Sequence, residues 1–200
     1  MFGRILFVAA MLTFALAARG AALPGQPAPA FALTDVGGQQ VSLADFRGRY
    51  VVLEWNNPSC PFVQKHYGSG NMQSLQQRFA ADGVAWLTIN STVAGHPEYL
   101  RPEQQAAWLK QQSAAPTAAL LDPDGEVGRA YGARTTPQMF VIDPAGTVRY
   151  AGAIDDKRST DPADVKTAHN YVAQALAELR GGKAVSVAST PPYGCSVKYE

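Results

Sequence analysis

The sequence predicts one α/β domain, a central mixed β-sheet with helices on both faces. Three observations carry that expectation. Apolar, β-branched segments alternate with helical patterns over residues 49–131, the alternation that builds layered α/β folds. Two strands joined by a Pro-Ala-Gly turn follow in "TPQMFVIDPAGTVRYAGAI", which adds a hairpin to the sheet. The amphipathic "ADVKTAHNYVAQALAELRGGK" then ends at paired glycines, a helix stop signal.

Taken in order, residues 23–35 are a proline-rich lead-in ending in a short strand, and residues 40–43 form a second brief strand after a glycine turn. Together they predict an N-terminal β-hairpin extension. Residues 44–46 make a helical turn. "RYVVLEWN" is rich in β-branched and aromatic residues and reads as a strand buried on both faces. Residues 61–81 then follow a helical period through Val63, Met72, Leu75 and Phe79, with a break expected at Gly68 and Gly70. "GVAWLTINS" is the next buried strand, and "RPEQQAAWLKQQ" is a helix with Pro102 tolerated in its first turn. "AALLD" is a strand and "EVGRAYGA" a short helix closed by glycine. Residues 184–200 read as an irregular tail.

The first residues look like an address. A short basic start precedes an apolar run over residues 5–18, and small residues follow. That is the pattern of an export signal and is short for a membrane span. The expected division is a signal over 1–22, a domain over 23–183 and a tail over 184–200. The protein is then exported, periplasmic or extracellular, with no membrane association once the signal is cleaved. Its 17 basic and 16 acidic residues form no basic cluster, which argues against nucleic acid as a partner. Two cysteines and three scattered histidines offer no metal-ligand spacing, and no cofactor is implied.

The chemistry concentrates at "EWNNPSCPFVQKHY". Cys60 stands just past the carboxyl end of a predicted strand, where ligands of such sheets bind. Pro61 suits the first helical position, so Cys60 falls near the N-cap, where the helix N-terminus favours a thiolate. The alternative is a small buried hydrophobe. A second signal is "RTTPQMFVID", with Pro137 directly before a buried strand. Taken alone it reads as a proline at the edge of a strand; a cis Thr136–Pro137 bond, the alternative, would turn the chain sharply and free the Thr136 backbone for a substrate.

Together these segments resemble the thioredoxin superfamily. Within it, the chain looks most like the peroxiredoxin-like redoxins of the alkyl hydroperoxide reductase/thiol-specific antioxidant group. "CPFV", "LLDPDGEVGRAYGARTTPQMFVIDPAGTVRYAG" and "PGQPAPAFALTD" with "SLADFRGRYVVLEWN" carry the likeness. The resemblance implies a thioredoxin-like fold, a cis Pro137 facing Cys60, and Cys60 as the reactive thiol. It implies a peroxide or protein-disulfide substrate and an external thiol reductant of the thioredoxin type. The chain departs from the group at Asn57 and Leu53, where a threonine or serine and a proline are usual, and at Val63, where a thioredoxin-type second cysteine would stand.

Other residues complete the candidate site. Glu54 matches the buried acid of thioredoxins and is a candidate proton shuttle; the alternative is a head group reaching solvent at the strand end. Asn57 is a candidate hydrogen-bond partner of the thiolate or substrate, or a shaper of the turn. Trp55, Pro61 and Phe62 are candidates for an apolar substrate rim, with plain core the commoner alternative for the two aromatics, and Thr136 and Pro137 position the substrate. Cys195 is a candidate resolving cysteine in a mobile tail. It is equally the other half of a structural bridge, worth somewhat over ~4.7 kcal/mol in the chain-entropy model, or a pairing site between chains. Three readings stay open: a peroxidase, a thiol-disulfide oxidoreductase without peroxidase activity, and a non-catalytic binding module with Cys60 and Cys195 bridged.

Overall fold

A computed structural model describes residues 21–200. The expected export signal lies almost wholly outside the described residues. Seven strands form one mixed sheet in the order β2-β1-β5-β4-β3-β7-β8. The N-terminal hairpin is β1 (Ala32–Asp35) and β2 (Gln40–Ser42). Its turn is held by the Asp35 carboxylate, which accepts the Gly37 and Gln39 amides. Three parallel strands make the centre: β3 (Val51–Trp55), β4 (Ala85–Asn90) and β5 (Ala118–Leu121). Parallel neighbours need crossovers, and the helices supply them. The chain runs from β3 to β4 through α1 (Pro61–Gly68) and α2 (Asn71–Ala81), and from β4 to β5 through α3 (Pro102–Gln111). Next come α4 (Glu126–Tyr131) and the two-residue strand β6 (Thr135–Thr136). The antiparallel strands β7 (Gln138–Ile142) and β8 (Val148–Gly152) close the far edge, followed by α5 (Tyr171–Arg180).

The sheet divides two cores by strand alternation. Val52, Trp86, Met139 and Val141 face α1, α2 and α5, burying Val63, Tyr67, Met72, Phe79, Val172 and Leu176. Val51, Leu53, Trp55, Leu87, Ile89, Phe140 and Ile142 face the other way, onto Tyr131 of α4 and Phe31 of the lead-in. Burial on both faces is why β3 and β4 read as continuous apolar runs. The break between α1 and α2 falls where the glycines predict it, with Gly70 at φ +74°, a conformation that suits glycine.

Two expectations change. The helix predicted from residue 163 begins only at Tyr171. Asn170 stays extended, bridges to Asp155, and caps α5 by accepting the Ala173 amide at 2.8 Å. A 3₁₀ turn, Pro162–Lys166, covers the earlier residues. The larger change is the tail. Residues 188–199 are strapped along the molecule, pairing with β8 through Ala188 and Ser189. A last strand, β9 (Cys195–Ser196), pairs antiparallel with β6. Val197 and Lys198 bond the backbone of Arg134 and Val93. Tyr199 ends the strap with its hydroxyl on the Ala133 carbonyl (2.8 Å) and its ring under Arg129 (4.7 Å).

Candidate active site

Cys60 is the N-cap of α1, extended at φ −77° and ψ 122°, with Pro61 at the first helical position. The turn before it is built by Asn57, whose carbonyl accepts the Cys60 amide (3.0 Å) and whose side-chain oxygen accepts the Ser59 amide (2.8 Å). Its amide nitrogen donates to Glu98 at 2.7 Å. Both polar atoms of Asn57 are thus engaged away from the sulfur, and the side chain acts here as the shaper of the loop. No first-turn amide bonds the sulfur either. The Cys60 thiol donates instead to the Thr136 carbonyl at 2.9 Å, and the residue is only 1% exposed.

Thr136 and Pro137 are joined by a cis peptide bond and are both buried. Antiparallel pairing sets Cys195 opposite Thr136. The two thiols are free and neighbouring, and Cys195 packs half-buried on the core that contains Cys60. The Cys195 thiol is pushed up to about 12, first by burial and then by the hydrogen bond and charge of Cys60. At neutral pH Cys195 is therefore held as the protonated thiol, and it attacks another sulfur only as it loses that proton. The hydroxyl of Thr136 is buried without a partner, which is costly for a polar group.

The other candidates separate. Glu54 is fully buried, so its head group does not reach solvent. Its carboxylate accepts from Asn56 Nδ2 (2.9 Å), Tyr67 Oη (2.9 Å) and Trp86 Nε1 (2.8 Å), and none of these bonds leads to Cys60. Burial raises its pKa, opposed by those donors. Trp55 is not part of a rim. It is 0% exposed on the opposite sheet face, between Tyr131 and Phe140 (both 5.2 Å), with its indole nitrogen on Ser91. Strand alternation explains this, because Glu54 and Trp55 are adjacent and must point to opposite faces. Pro61 is exposed at the lip of the site. Phe62 is half-buried and meets the edge of Tyr193 at 5.7 Å.

Tyr193 belongs to a cluster that sequence reasoning missed. Its hydroxyl donates to Asp155 and lies 3.4 Å from His66 Nε2. Asp155 approaches the same imidazole at 3.9 Å, and Asn71 holds its other nitrogen at 2.9 Å. Lys65 lies over the Tyr193 ring with its ammonium on the Lys157 carbonyl. The available signal was "PPYGC", an aromatic two residues before the tail cysteine. Burial holds His66 at about 4, against the pull of Asp155. The fold therefore favours neutral imidazole, whereas an unfolded chain takes its proton near 6.5. Stability from this group is full above pH 6.5 and is lost as pH falls to about 4. The expected loss is about 3 kcal/mol by pH 4, read as a lower urea midpoint. In His66→Gln the drop over that window should disappear.

Among the described residues no cluster of side chains suits a metal ion. A thiol capping a helix on a mixed sheet, bonded to the residue before a cis proline, defines a thiol-dependent oxidoreductase of the thioredoxin fold. The AhpC/TSA family model matches residues 24–151, and the chain belongs to that family. A Mycobacterium tuberculosis protein provisionally named a peroxiredoxin is 31% identical over 138 residues, covering 66% of this chain and 78% of that one. The thiol-disulfide oxidoreductase ResA of Bacillus subtilis is 26% identical over 129 residues, covering 58% of this chain and 71% of its own. An uncharacterised conserved protein from Geobacillus kaustophilus superposes with a TM-score of 0.77 at 28% identity, covering 90% of this chain and 93% of that structure.

Proposed function

We propose that Cys60 and Cys195 form one redox couple, cycling between the dithiol and an intramolecular disulfide as the protein reduces a peroxide or a disulfide in an exported setting. The observation that carries this is the strand pairing that sets Cys195 opposite Thr136, whose carbonyl holds the Cys60 thiol. With a hydroperoxide, the Cys60 sulfur takes one peroxide oxygen, the O–O bond breaks, and the alcohol leaves with the thiol proton. Cys195 then attacks the sulfenic acid, the S–S bond forms and water leaves. With a disulfide, Cys60 displaces one thiol and Cys195 the other. In either case the protein gives up two electrons, and an external dithiol restores them.

Of the couple, Cys195 is the residue nearer solvent, half-buried where Cys60 is 1% exposed. The reductant therefore attacks Cys195, and Cys60 departs from its covered place at the helix N-cap. The apolar run over residues 5–18 supports export, where such a disulfide persists. In this reading Thr136 and Pro137 position the Cys60 sulfur, and Pro61 borders its entrance.

The test is to treat the reduced protein with one equivalent of hydrogen peroxide and digest it without reductant. The expected product has lost two hydrogens and yields a single Cys60–Cys195 linked peptide. Recovery of both cysteines unlinked, or linked only between chains, would sink the couple.

A further inference from the structure

We infer that the tail determines specificity: residues 188–199 fill in cis the strand edge an extended polypeptide would need, so the redox site takes small oxidants and turns away polypeptide disulfides. This rests on Cys60 being the reactive thiol.

The Cys60 thiol faces the Thr136 carbonyl, so an incoming sulfur must arrive beside Thr136. β6 stands apart from the seven-stranded sheet, and its partner is β9 of the same chain. An extended polypeptide reaches such a site by adding a strand, its backbone bonding the exposed edge. Here Thr135 already pairs with Ser196 and Thr136 with Cys195, and Val197 takes the Arg134 carbonyl. The place where a substrate cysteine would lie holds Cys195.

The strap is built to stay. On one side of β9, Tyr193 is buried with its hydroxyl on Asp155 and its ring against Phe62. Farther back, Thr190 receives the Ala153 amide at 3.0 Å and meets the Tyr150 hydroxyl at 2.6 Å. On the other side, Lys198 pairs with Glu98 at 3.5 Å, and Glu98 also holds Asn57 of the Cys60 loop. Gly194 shows how closely the tail lies on the site. At φ +141°, a side-chain carbon there would drive into the Thr136 carbonyl oxygen, an immovable backbone atom. A hydroperoxide or a small dialkyl disulfide needs only a local parting of Cys195 from Cys60, whereas a polypeptide needs the whole strap lifted.

The experiment compares two oxidants of identical bond chemistry with the full-length reduced protein: 2-hydroxyethyl disulfide and insulin. The readout is the ratio of their second-order rate constants for Cys60 oxidation. Gly194→Ala is the variant that lifts β9 while keeping both cysteines. Tyr193→Phe is a milder one, keeping the contact with Phe62 and losing the bond to Asp155. The wild-type ratio should favour the small disulfide and fall at least about tenfold in Gly194→Ala, with Tyr193→Phe moving it the same way. If Gly194→Ala does not fold, the Tyr193→Phe ratio decides alone. A ratio unchanged by the folded variants overturns the inference, even where oxidation depends on Cys60. Oxidation that survives Cys60→Ser overturns the redox couple itself, a separate result.

Discussion

Cys60→Ser is expected to lower hydroperoxide consumption by at least about a thousandfold. The reason is the atom, because a serine hydroxyl does not take oxygen from a peroxide. Little else should change. Serine is a preferred N-cap residue, Pro61 still opens α1, and the hydroxyl can donate to the same Thr136 carbonyl that now accepts the thiol. Melting temperatures within a few degrees of wild type would show that the loss is chemical. Cys195→Ser should behave differently. Its first equivalent of peroxide is still consumed at Cys60, but turnover stops, and excess oxidant drives Cys60 up the oxidation ladder to the sulfinic acid. Mass spectrometry of the intact protein reads both outcomes. Equal turnover in Cys195→Ser and wild type would remove Cys195 from the cycle. Peroxide consumption that persists in Cys60→Ser would remove the site altogether. A bridge that only staples the fold predicts a third pattern: no peroxide turnover in any form, and a large stability loss when either cysteine is replaced.

The fold was legible because its signals are local. β-branched runs mark β3 and β4, Gly70 marks the break between α1 and α2, and the Pro-Ala-Gly turn marks the β7–β8 hairpin. Cys60 was legible for the same reason, since a cysteine before proline at a strand-to-helix turn defines its own surroundings. What stayed hidden depends on pairing across long separations. Trp55 was open between rim and core from its closeness to Cys60 along the chain, and the two-residue period of β3 sends it to the far core. Asn57 was open between a partner for the sulfur and a shaper of the turn, and only Glu98, brought in from the loop after β4, shows where its amide goes. The tail is the clearest case. Proline and glycine give "STPPYGCSVKYE" the composition of a mobile segment, yet Gly194 permits the close approach that docks β9. The residues that hold Tyr193, Asp155 and His66, have no spacing in the sequence that announces them. Glu54 lies between these cases: its strand position was readable, and the three donors around it were not.

Glu54→Ala is expected to be the most destabilising change to a polar residue in the core, about 3–5 kcal/mol. Removing the carboxylate leaves the Trp86 indole, the Asn56 amide and the Tyr67 hydroxyl without their acceptor. Of these, the Tyr67 oxygen still receives Gln76 but has nowhere to donate. It also opens a void beneath α1, the helix that presents Cys60. Glu54→Gln keeps the volume and one acceptor but turns an amide against a donor, so its cost at low pH should be smaller, about 1–3 kcal/mol. The pH dependence separates the two roles of the residue. Burial raises the Glu54 pKa in the fold, so the proton is held more tightly there than in the unfolded chain. The stability this gives is full below the unfolded value near 4.5 and is lost as pH rises through the folded one. Wild type should therefore lose ground to Glu54→Gln as pH increases from that point, a trend opposite in sign to the one His66 produces. Urea unfolding of both proteins across the range measures it. A constant difference between them would mean that Glu54 is ionised in the fold as readily as in the unfolded chain. Peroxide turnover in Glu54→Gln then tests the proton shuttle. If the carboxyl only anchors α1 through Tyr67, turnover should follow stability and keep the wild-type pH profile. A profile whose rising limb moves in the Gln variant would instead require a path from Glu54 to the Cys60 thiol.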